Sequence, residues 1–297
     1  MRYCPALARK PKGNDSYDKG KPKPDPFDNP PEELLIAAVP RKTTTHNLVL
    51  NKYPVIPNHF ILATKANKPQ TDLLEEDDLA IAYECLNLWR DATTPNGHQL
   101  FSFFNSGEHS GASQVHRHLQ FLPVEEMKQQ SDGGWCPLLE RMTEKAHGDL
   151  PLLHDPALPL LHFATRLEPD ISAHSLHAKY VMLMKAALSA RDQPSAELQY
   201  DDNAMIARDG QTTFSYNLAM TSDLMAICPR KDESATIPGN GTESSVAING
   251  TILGGTLMVK SEREQDVLRE RPELLDRMLT EIGFALDGSS DAASTKL

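Results

Sequence analysis

From Leu34 onward the apolar positions fall into short runs punctuated by proline and asparagine. LLIAAVP and THNLVLNKYPVIPNHFILATK read as two or three strands, with Pro54 and Pro57 forcing a tight corner between 46–51 and 59–64. The period then changes. In TDLLEEDDLAIAYECLNLWRDA, Leu79, Ala82, Leu86 and Trp89 recur at three- and four-residue steps. Glu75, Glu76, Asp77 and Asp78 sit at the N-terminal end, where the helix dipole favours acids. HQLFSFFN (98–105) is an apolar strand, NSGEHSGASQ (105–114) a glycine- and serine-rich loop, and VHRHLQFLPV (115–124) a further strand. Residues 125–160 read as a long connection, and LLHFATRL (160–167) as a strand. SAHSLHAKYVMLMKAALSA is a helix with Leu176, Tyr180, Leu183 and Leu188 near one face. FSYNLAMTSDLMAICPR (214–230) reads as a hairpin, 234–243 as a loop, GGTLMVK (254–260) as a short strand, and 264–283 as closing helices. Strands, a helix, then more strands and helices predict an α+β fold rather than a doubly wound parallel sheet.

Composition marks the two ends. Residues 1–33, rich in Pro, Lys, Asp and Gly, are expected to be extended or mobile, or to drape over another surface, and GSSDAASTKL (288–297) to be a disordered tail. Between them the change of character near 135 divides the chain into an N-terminal part, 34–135, and a C-terminal part, 136–287. The net charge of −11 and pI near 5.5 argue against coating nucleic acid. Any phosphate site must therefore be local. The four cysteines, Cys4, Cys85, Cys136 and Cys228, form no CxxC pair, which speaks against structural zinc and against a disulfide framework. No apolar run approaches a bilayer-spanning length and no signal-peptide core follows the first residues, so the expected compartment is cytoplasmic, with access to the nucleus.

The candidate chemistry lies in VHRHLQF. On a strand the two-residue period places His116, His118 and Gln120 on one face and Val115, Arg117, Leu119 and Phe121 on the other. Three polar side chains in a row on a largely apolar sheet need a ligand or each other. Just upstream, Asn105-Ser106-Gly107 and Ser110-Gly111-Ala112-Ser113-Gln114 combine glycine with hydroxyl and amide donors, the makings of an anion-binding concavity. An imidazole whose other nitrogen is held by an acceptor is a good nucleophile toward phosphorus. HxH alone is also a zinc-ligand spacing; the joined pattern NSGxxSGxSQxHxHxQ is far more specific.

NSGEHSGASQVHRHLQFLP resembles the active-site signature of the fungal diadenosine tetraphosphate phosphorylases, or ATP adenylyltransferases. These belong to the histidine-triad superfamily alongside galactose-1-phosphate uridylyltransferase. NKYPVIPNHFILATK, PQTDLLEEDDL, SYNLAMTSDLMAICPRKDE and INGTILGGTLMVKSE resemble further segments of that family, so the likeness runs from about residue 20 to about 285. The resemblance implies a histidine-triad-like fold: a mostly antiparallel sheet flanked by helices, in two related or intertwined halves. It implies His118 as nucleophile, His116 as orienting the site, and Gln120 at the phosphate and bridging oxygen. Asn105, Ser106, Gly107, Gly111, Ser113 and Gln114 would bind the polyphosphate. The implied reaction is reversible phosphorolysis of diadenosine tetraphosphate to ATP and ADP through an adenylyl-histidine. A divalent cation (magnesium or manganese) would accompany the nucleotide, with no metal held by the protein.

Asn51 and Lys52 lie where the superfamily approaches the nucleoside, and Lys65 is a candidate phosphate contact. Tyr216, Asn217 and Lys260 are candidates to close over the second nucleotide. The remaining histidines are read as packing or solvent-facing, with His109 inside the loop. The expected partners are dinucleoside polyphosphates, ATP, ADP and phosphate, with no nucleic acid and no membrane; the oligomeric state is open. Two departures from the family pattern stand out. The chain begins well inside the family's usual N-terminal region, and Val115 replaces a common proline. Competing readings are a hexose-1-phosphate nucleotidyltransferase with the same covalent step, a nucleotide-binding protein left catalytically weak by a short N-terminus, and a zinc-binding HxH module.

Overall fold

A computed structural model describes residues 1–8, 24–92, 98–128, 135–143, 145–147, 151–155, 157–192, 200–238 and 243–284. Its centre is one ten-stranded sheet, antiparallel throughout. In chain order its strands are β1 (Leu35–Val39), β2 (His46–Leu50), β3 (Phe60–Thr64), β4 (Leu100–Ser106) and β5 (His118–Pro123), then β6 (Lys145–His147), β7 (Leu152–His154), β8 (Phe163–Arg166), β9 (Tyr216–Met220) and β10 (Leu224–Pro229). In space they run β1-β2-β3-β5-β4-β9-β10-β8-β7-β6. The order is a duplication. Each half places three strands, then a helix, then two more strands, with the last inserted between the third and the fourth. The helices at the matching points are α1 (Glu76–Ala92) and α2 (Ala173–Asp192), and the halves meet where β4 pairs with β9, Asn105 opposite Asn217. The expected antiparallel α+β architecture in two related halves is the one found.

The two sheet faces have different cores. Phe60, Leu62, Phe104, Leu119, Phe121, Tyr216, Leu218 and Met225 turn toward α1 and α2, and Leu79, Ala82, Leu86, Leu176, Tyr180 and Leu183 answer from the helices. The hydroxyls of Tyr180 and Tyr216 meet at 2.7 Å, satisfying two polar groups that burial would otherwise penalise. The opposite face carries Phe101, Phe103, Leu122, Ala219 and Ala226 under the 3₁₀ turn Gly250–Gly254, with a small satellite of Phe27, Val49, Ile61 and Ala63 beside it.

Three expectations are corrected, and among the alternatives for the N-terminal segment the structure selects draping over the sheet and the C-terminal layer. Residues 125–160 are more than a connection: they contribute β6, at the sheet edge, its neighbour β7, and two short helices, Val124–Lys128 and Leu138–Arg141. Residues 234–243 begin with a strand, Ser234–Ile237, which pairs with Ser244–Ala247 over the helices α3 (Glu262–Glu270) and α4 (Glu273–Ile282). The described parts of the N-terminal segment are tied down. Arg2–Tyr3 pairs in parallel with Met258–Val259, and Phe27 is buried on the sheet. Finally, β5 begins at His118; residues 115–117 pair instead with 68–70, through Gln70 N to Val115 O and Arg117 N to Lys68 O. The tail 288–297 lies outside the described residues.

The N-terminal acids of α1 are not all solvated. Asp78 is 1 % exposed and receives His46 Nε2 at 2.8 Å and Arg117 Nη1 at 2.9 Å, while its other contact, from Glu75 N at 2.7 Å, caps the helix. Burial alone would raise this carboxyl, but the hydrogen bond from His46 and the Arg117 charge outweigh it and hold it below its ordinary value. Arg117, next to the candidate nucleophile in sequence, thereby bolts β5 to α1 from the far face of the sheet.

Candidate active site

The strand period deals the side chains as expected. Ala63 opposes His118, and Gln120 lies between Ile61 and Phe103, so His118 and Gln120 share the face opposite the helices; Leu119 and Phe121 join the helix-side core. His118 is 3 % exposed. Its Nδ1 lies 2.8 Å from the main-chain oxygen of His116. A carbonyl only accepts, so Nδ1 carries the hydrogen and Nε2 the lone pair. Burial, opposed in part by that hydrogen bond, lowers the imidazole to a pKa of about 4. His118 is therefore neutral near pH 7, in the tautomer that leaves Nε2 free to attack. No hydrogen bond to Nε2 forms among the described residues.

His116 is 1 % exposed and pinned on both sides. Its Nδ1 is 2.6 Å from Asp25 Oδ2, and its Nε2 is 2.7 Å from Thr64 O. Phe27 closes the face, its ring centroid 5.0 Å from that of His118 and 5.7 Å from that of His116. Where β4 and β5 part company beyond the Phe103–Gln120 pair, Gln70 takes over the ladder. Its Oε1 accepts from His118 N at 2.7 Å, and its Nε2 donates to Asn105 O at 2.8 Å and His118 O at 3.2 Å. One side-chain amide thus satisfies main-chain groups that the splayed strands orphan.

The strands diverge to admit residues 107–117. Gly107 (φ 89°) and Gly111 (φ 75°) have left-handed backbone, and each packs where a Cβ would collide: with Ser215 Cα at 2.8 Å, and with Ile248 O at 2.9 Å. Ser113 is exposed and Gln114 half-buried beside the histidine face. Asn105, 2 % exposed, is oriented from below. Its Oδ1 accepts from Asn217 Nδ2 (2.8 Å) and Gly250 N (2.9 Å), leaving its own amide hydrogens as what it can offer an anion. Asn217 in turn accepts from the buried Arg230 guanidinium, which also donates to Asp232 O and Ile248 O.

Other predicted residues fall elsewhere. Ser106 turns its hydroxyl to the helix side, 3.4 Å from Thr212 Oγ1, so only its main chain can serve the loop. Strand alternation decides this. Tyr216 is buried on that same side against Tyr180, away from the candidate nucleophile. Asn51 shapes the Pro corner, bonding His59 Nδ1 at 2.9 Å and Tyr53 N at 3.0 Å, with Lys52 exposed beside it. Lys65 is exposed and donates to Thr44 Oγ1, and Lys260 donates to Ser245 O in the C-terminal layer. The residues missed by sequence reasoning are Asp25, Phe27, Gln70, Asn217's partner Arg230, and Thr64. None lies in the motif, and their partners are 90 or so residues away or on other strands. Cys85 and Cys228 are poor nucleophiles, since burial pushes their thiols up to about 12. Among the described residues no group of three His, Cys, Asp or Glu side chains is placed to hold a metal ion. No described helix is long and apolar enough to cross a membrane.

Known proteins match this arrangement along its length. Residues 1–141 match the Ap4A phosphorylase N-terminal domain, and residues 156–285 match the ATP adenylyltransferase C-terminal domain. Diadenosine 5',5'''-P1,P4-tetraphosphate phosphorylase 2 of Saccharomyces cerevisiae is 30% identical over 293 residues, covering 96% of this chain and 83% of the yeast protein. The chain belongs to the Ap4A phosphorylase family. It is thus a nucleotidyltransferase of the ATP adenylyltransferase type. Protein APA1 of the same yeast is 27% identical over 296 residues, covering 96% of this chain and 82% of its own length. The crystal structure of yeast Ap4A phosphorylase Apa2 superposes with a TM-score of 0.72 at 27% identity, over 95% of this chain and 84% of that one. The complex of Apa2 with Ap4A gives 0.73 at 26% identity, over 95% and 84%.

Proposed function

We propose that this Ap4A phosphorylase family member catalyses reversible phosphorolysis of diadenosine tetraphosphate, forming ATP and ADP through an adenylyl-histidine on His118. One observation supports this above the others: His118 is a neutral imidazole with Nδ1–H committed to a carbonyl and Nε2 without a hydrogen bond among the described residues, and a glycine-rich loop precedes it. In the first step Nε2 attacks the α-phosphorus of one adenylyl group. The bond from that phosphorus to the bridging oxygen breaks, and ATP leaves with the oxygen. The ring then carries a positive charge, which the His116 carbonyl stabilises through Nδ1–H. In the second step inorganic phosphate attacks the same phosphorus, the P–N bond breaks, and ADP departs, returning His118 to its starting state.

Binding falls to the loop. His109 N and Ser110 N are bonded to Ser215 Oγ and Gly107 O; the other main-chain N–H groups of 107–114, the Ser113 hydroxyl and the Gln114, Gln120 and Asn105 amides are the donors offered to a polyphosphate. A divalent cation would accompany the nucleotide as a counter-ion, screening phosphate charge in a protein whose own net charge is −11. Ap4A and AMP are bound by the yeast relative Apa2, which supports dinucleotide and nucleotide binding here.

Chromatography of Ap4A incubated with the protein, magnesium and phosphate tests the reading, with His118→Ala alongside. ATP and ADP should form only when both phosphate and His118 are present, and mass spectrometry of the protein quenched before phosphate addition should find one adenylyl group on His118. Nucleotide binding without products would leave a binding protein and refute the reaction.

A further inference from the structure

We propose that Asp25, from the N-terminal segment, is a positioning residue of adenylyl transfer: its carboxylate holds His116 as a doubly protonated ring and so fixes the carbonyl that sets the His118 tautomer. The proposal rests on the reading of His118 given above, but its first observable does not.

Hydrogen bookkeeping around His116 leaves little freedom. Its Nε2 faces Thr64 O at 2.7 Å and Thr64 Oγ1 at 3.0 Å. The single hydroxyl hydrogen of Thr64 points to Ala66 O at 2.8 Å, so Thr64 presents two acceptors and Nε2 must carry the hydrogen between them. On the other side Asp25 Oδ2 lies 2.6 Å from Nδ1. The carboxylate's further contacts are both donors, Asn67 Nδ2 to Oδ2 at 3.1 Å and Phe27 N to Oδ1 at 2.9 Å. Two donors favour the carboxylate form of Asp25, and a carboxylate only accepts, which puts the hydrogen of the 2.6 Å contact on Nδ1. With both nitrogens protonated, His116 is an imidazolium in a short, charge-assisted bond to Asp25.

That ring is 1 % exposed and cannot swing. Held by Asp25 from one side and Thr64 from the other, with the Phe27 edge against it, it immobilises the peptide unit whose oxygen accepts from His118 Nδ1. Arg117, between the two histidines, turns its positive charge to the opposite face into Asp78 and Glu75. The counter-charge of the His116 ring is the Asp25 carboxylate. The chain from Asp25 to His116 to His118 thus runs through one side chain and one carbonyl. It acts on the reaction without touching substrate.

The test is Asp25→Asn in the full chain, read in two ways. Nitrogen NMR of histidine-labelled protein should show two ring N–H groups on His116 in the wild type and one in Asp25→Asn. In single-turnover adenylylation by Ap4A, Asp25→Asn should slow the step about 10- to 100-fold with KM changed by less than about threefold, and Asp25→Glu should restore part of the rate. A residue that merely anchored the N-terminal segment would lower the melting temperature and leave the ring protonation and the rate of the folded enzyme as they were. That result overturns the proposal, as does a single N–H on His116 in the wild type. If the protein proved to have no phosphorolytic activity at all, the NMR arm would still decide the state of His116, so the two readings fail separately.

Discussion

In the first half of the sheet β4 and β5 are joined by residues 107–117; in the second half the matching strands, β9 and β10, are joined by 221–223. The short connection keeps its strands paired to the end, Met220 against Met225. The long one splays them beyond Phe103 and Gln120, and the gap is filled by Gln70 and the loop. Each half also buries a histidine of the same kind. His162, like His118, donates Nδ1–H to a carbonyl two residues earlier at 2.8 Å, and burial lowers both to about 4. Their other nitrogens differ. His162 Nε2 accepts from Asp155 N at 2.9 Å and is spent on structure, whereas His118 Nε2 makes no hydrogen bond among the described residues. Tautomer and depressed pKa are thus shared by a scaffold histidine and a candidate nucleophile. What separates them is the destination of one lone pair.

The comparison breaks most directly at the two histidines. His118→Ala should reduce adenylyl transfer by on the order of 10⁴-fold or more and cost about 1–3 kcal/mol of stability, while His162→Ala should leave the folded enzyme active and cost about 2–4 kcal/mol in denaturant unfolding, since it also orphans the Asp155 amide. Reversed effects would mean that the second half holds the chemistry. Next comes the bolt present in the first half, Arg117. Arg117→Met strands Asp78 with less compensation in the core and should lower the unfolding free energy by about 3–5 kcal/mol, with Arg117→Met/Asp78→Asn recovering part of it. An unchanged denaturation midpoint would show that β5 is held some other way.

Acid should treat the halves alike. Both histidines are neutral in the fold down to about pH 4, whereas in the unfolded chain they titrate near their ordinary 6.5. Between those values the unfolded state binds more protons, so stability is fully present above about pH 6.5 and falls as pH drops, by up to about 2.7 kcal/mol per pH unit for the two together. His118→Gln and His162→Gln should each remove about half of that slope; equal slopes in all three proteins would refute the shared burial. The smallest effect belongs to the loop. Gly107→Ala requires a left-handed alanine pressed on Ser215 and should cost about 1–3 kcal/mol, with a raised KM for Ap4A, whereas a substitution in 221–223 should leave KM unchanged.

Much of this was legible along the chain because it depends on local period. Two-residue alternation put His116, His118 and Gln120 on one face and Leu119 and Phe121 on the other, and three- and four-residue steps set the buried stripe of α1. Alternation could also have excluded Ser106 and Tyr216 from the site had the register been known, since Asn105 and Asn217 face one side and their neighbours the other. The short strands β6 and β7 were hidden because three residues each carry too few side chains to show a period. What no local pattern could supply is pairing at a distance. Asp25 reaches His116, Gln70 bridges Asn105 and His118, and Arg230 orients Asn105 through Asn217. A Pro-rich segment looks unstructured in sequence because it has no apolar stripe of its own; the fold gives Phe27 and Asp25 their partners on a sheet built elsewhere. Element types and faces follow from the nearest few residues, and the resemblance of the surrounding motif to a known family singled out His118 as nucleophile. Which of the two buried histidines has both ring nitrogens hydrogen-bonded within the described residues depends on the main-chain group that folding brings against it.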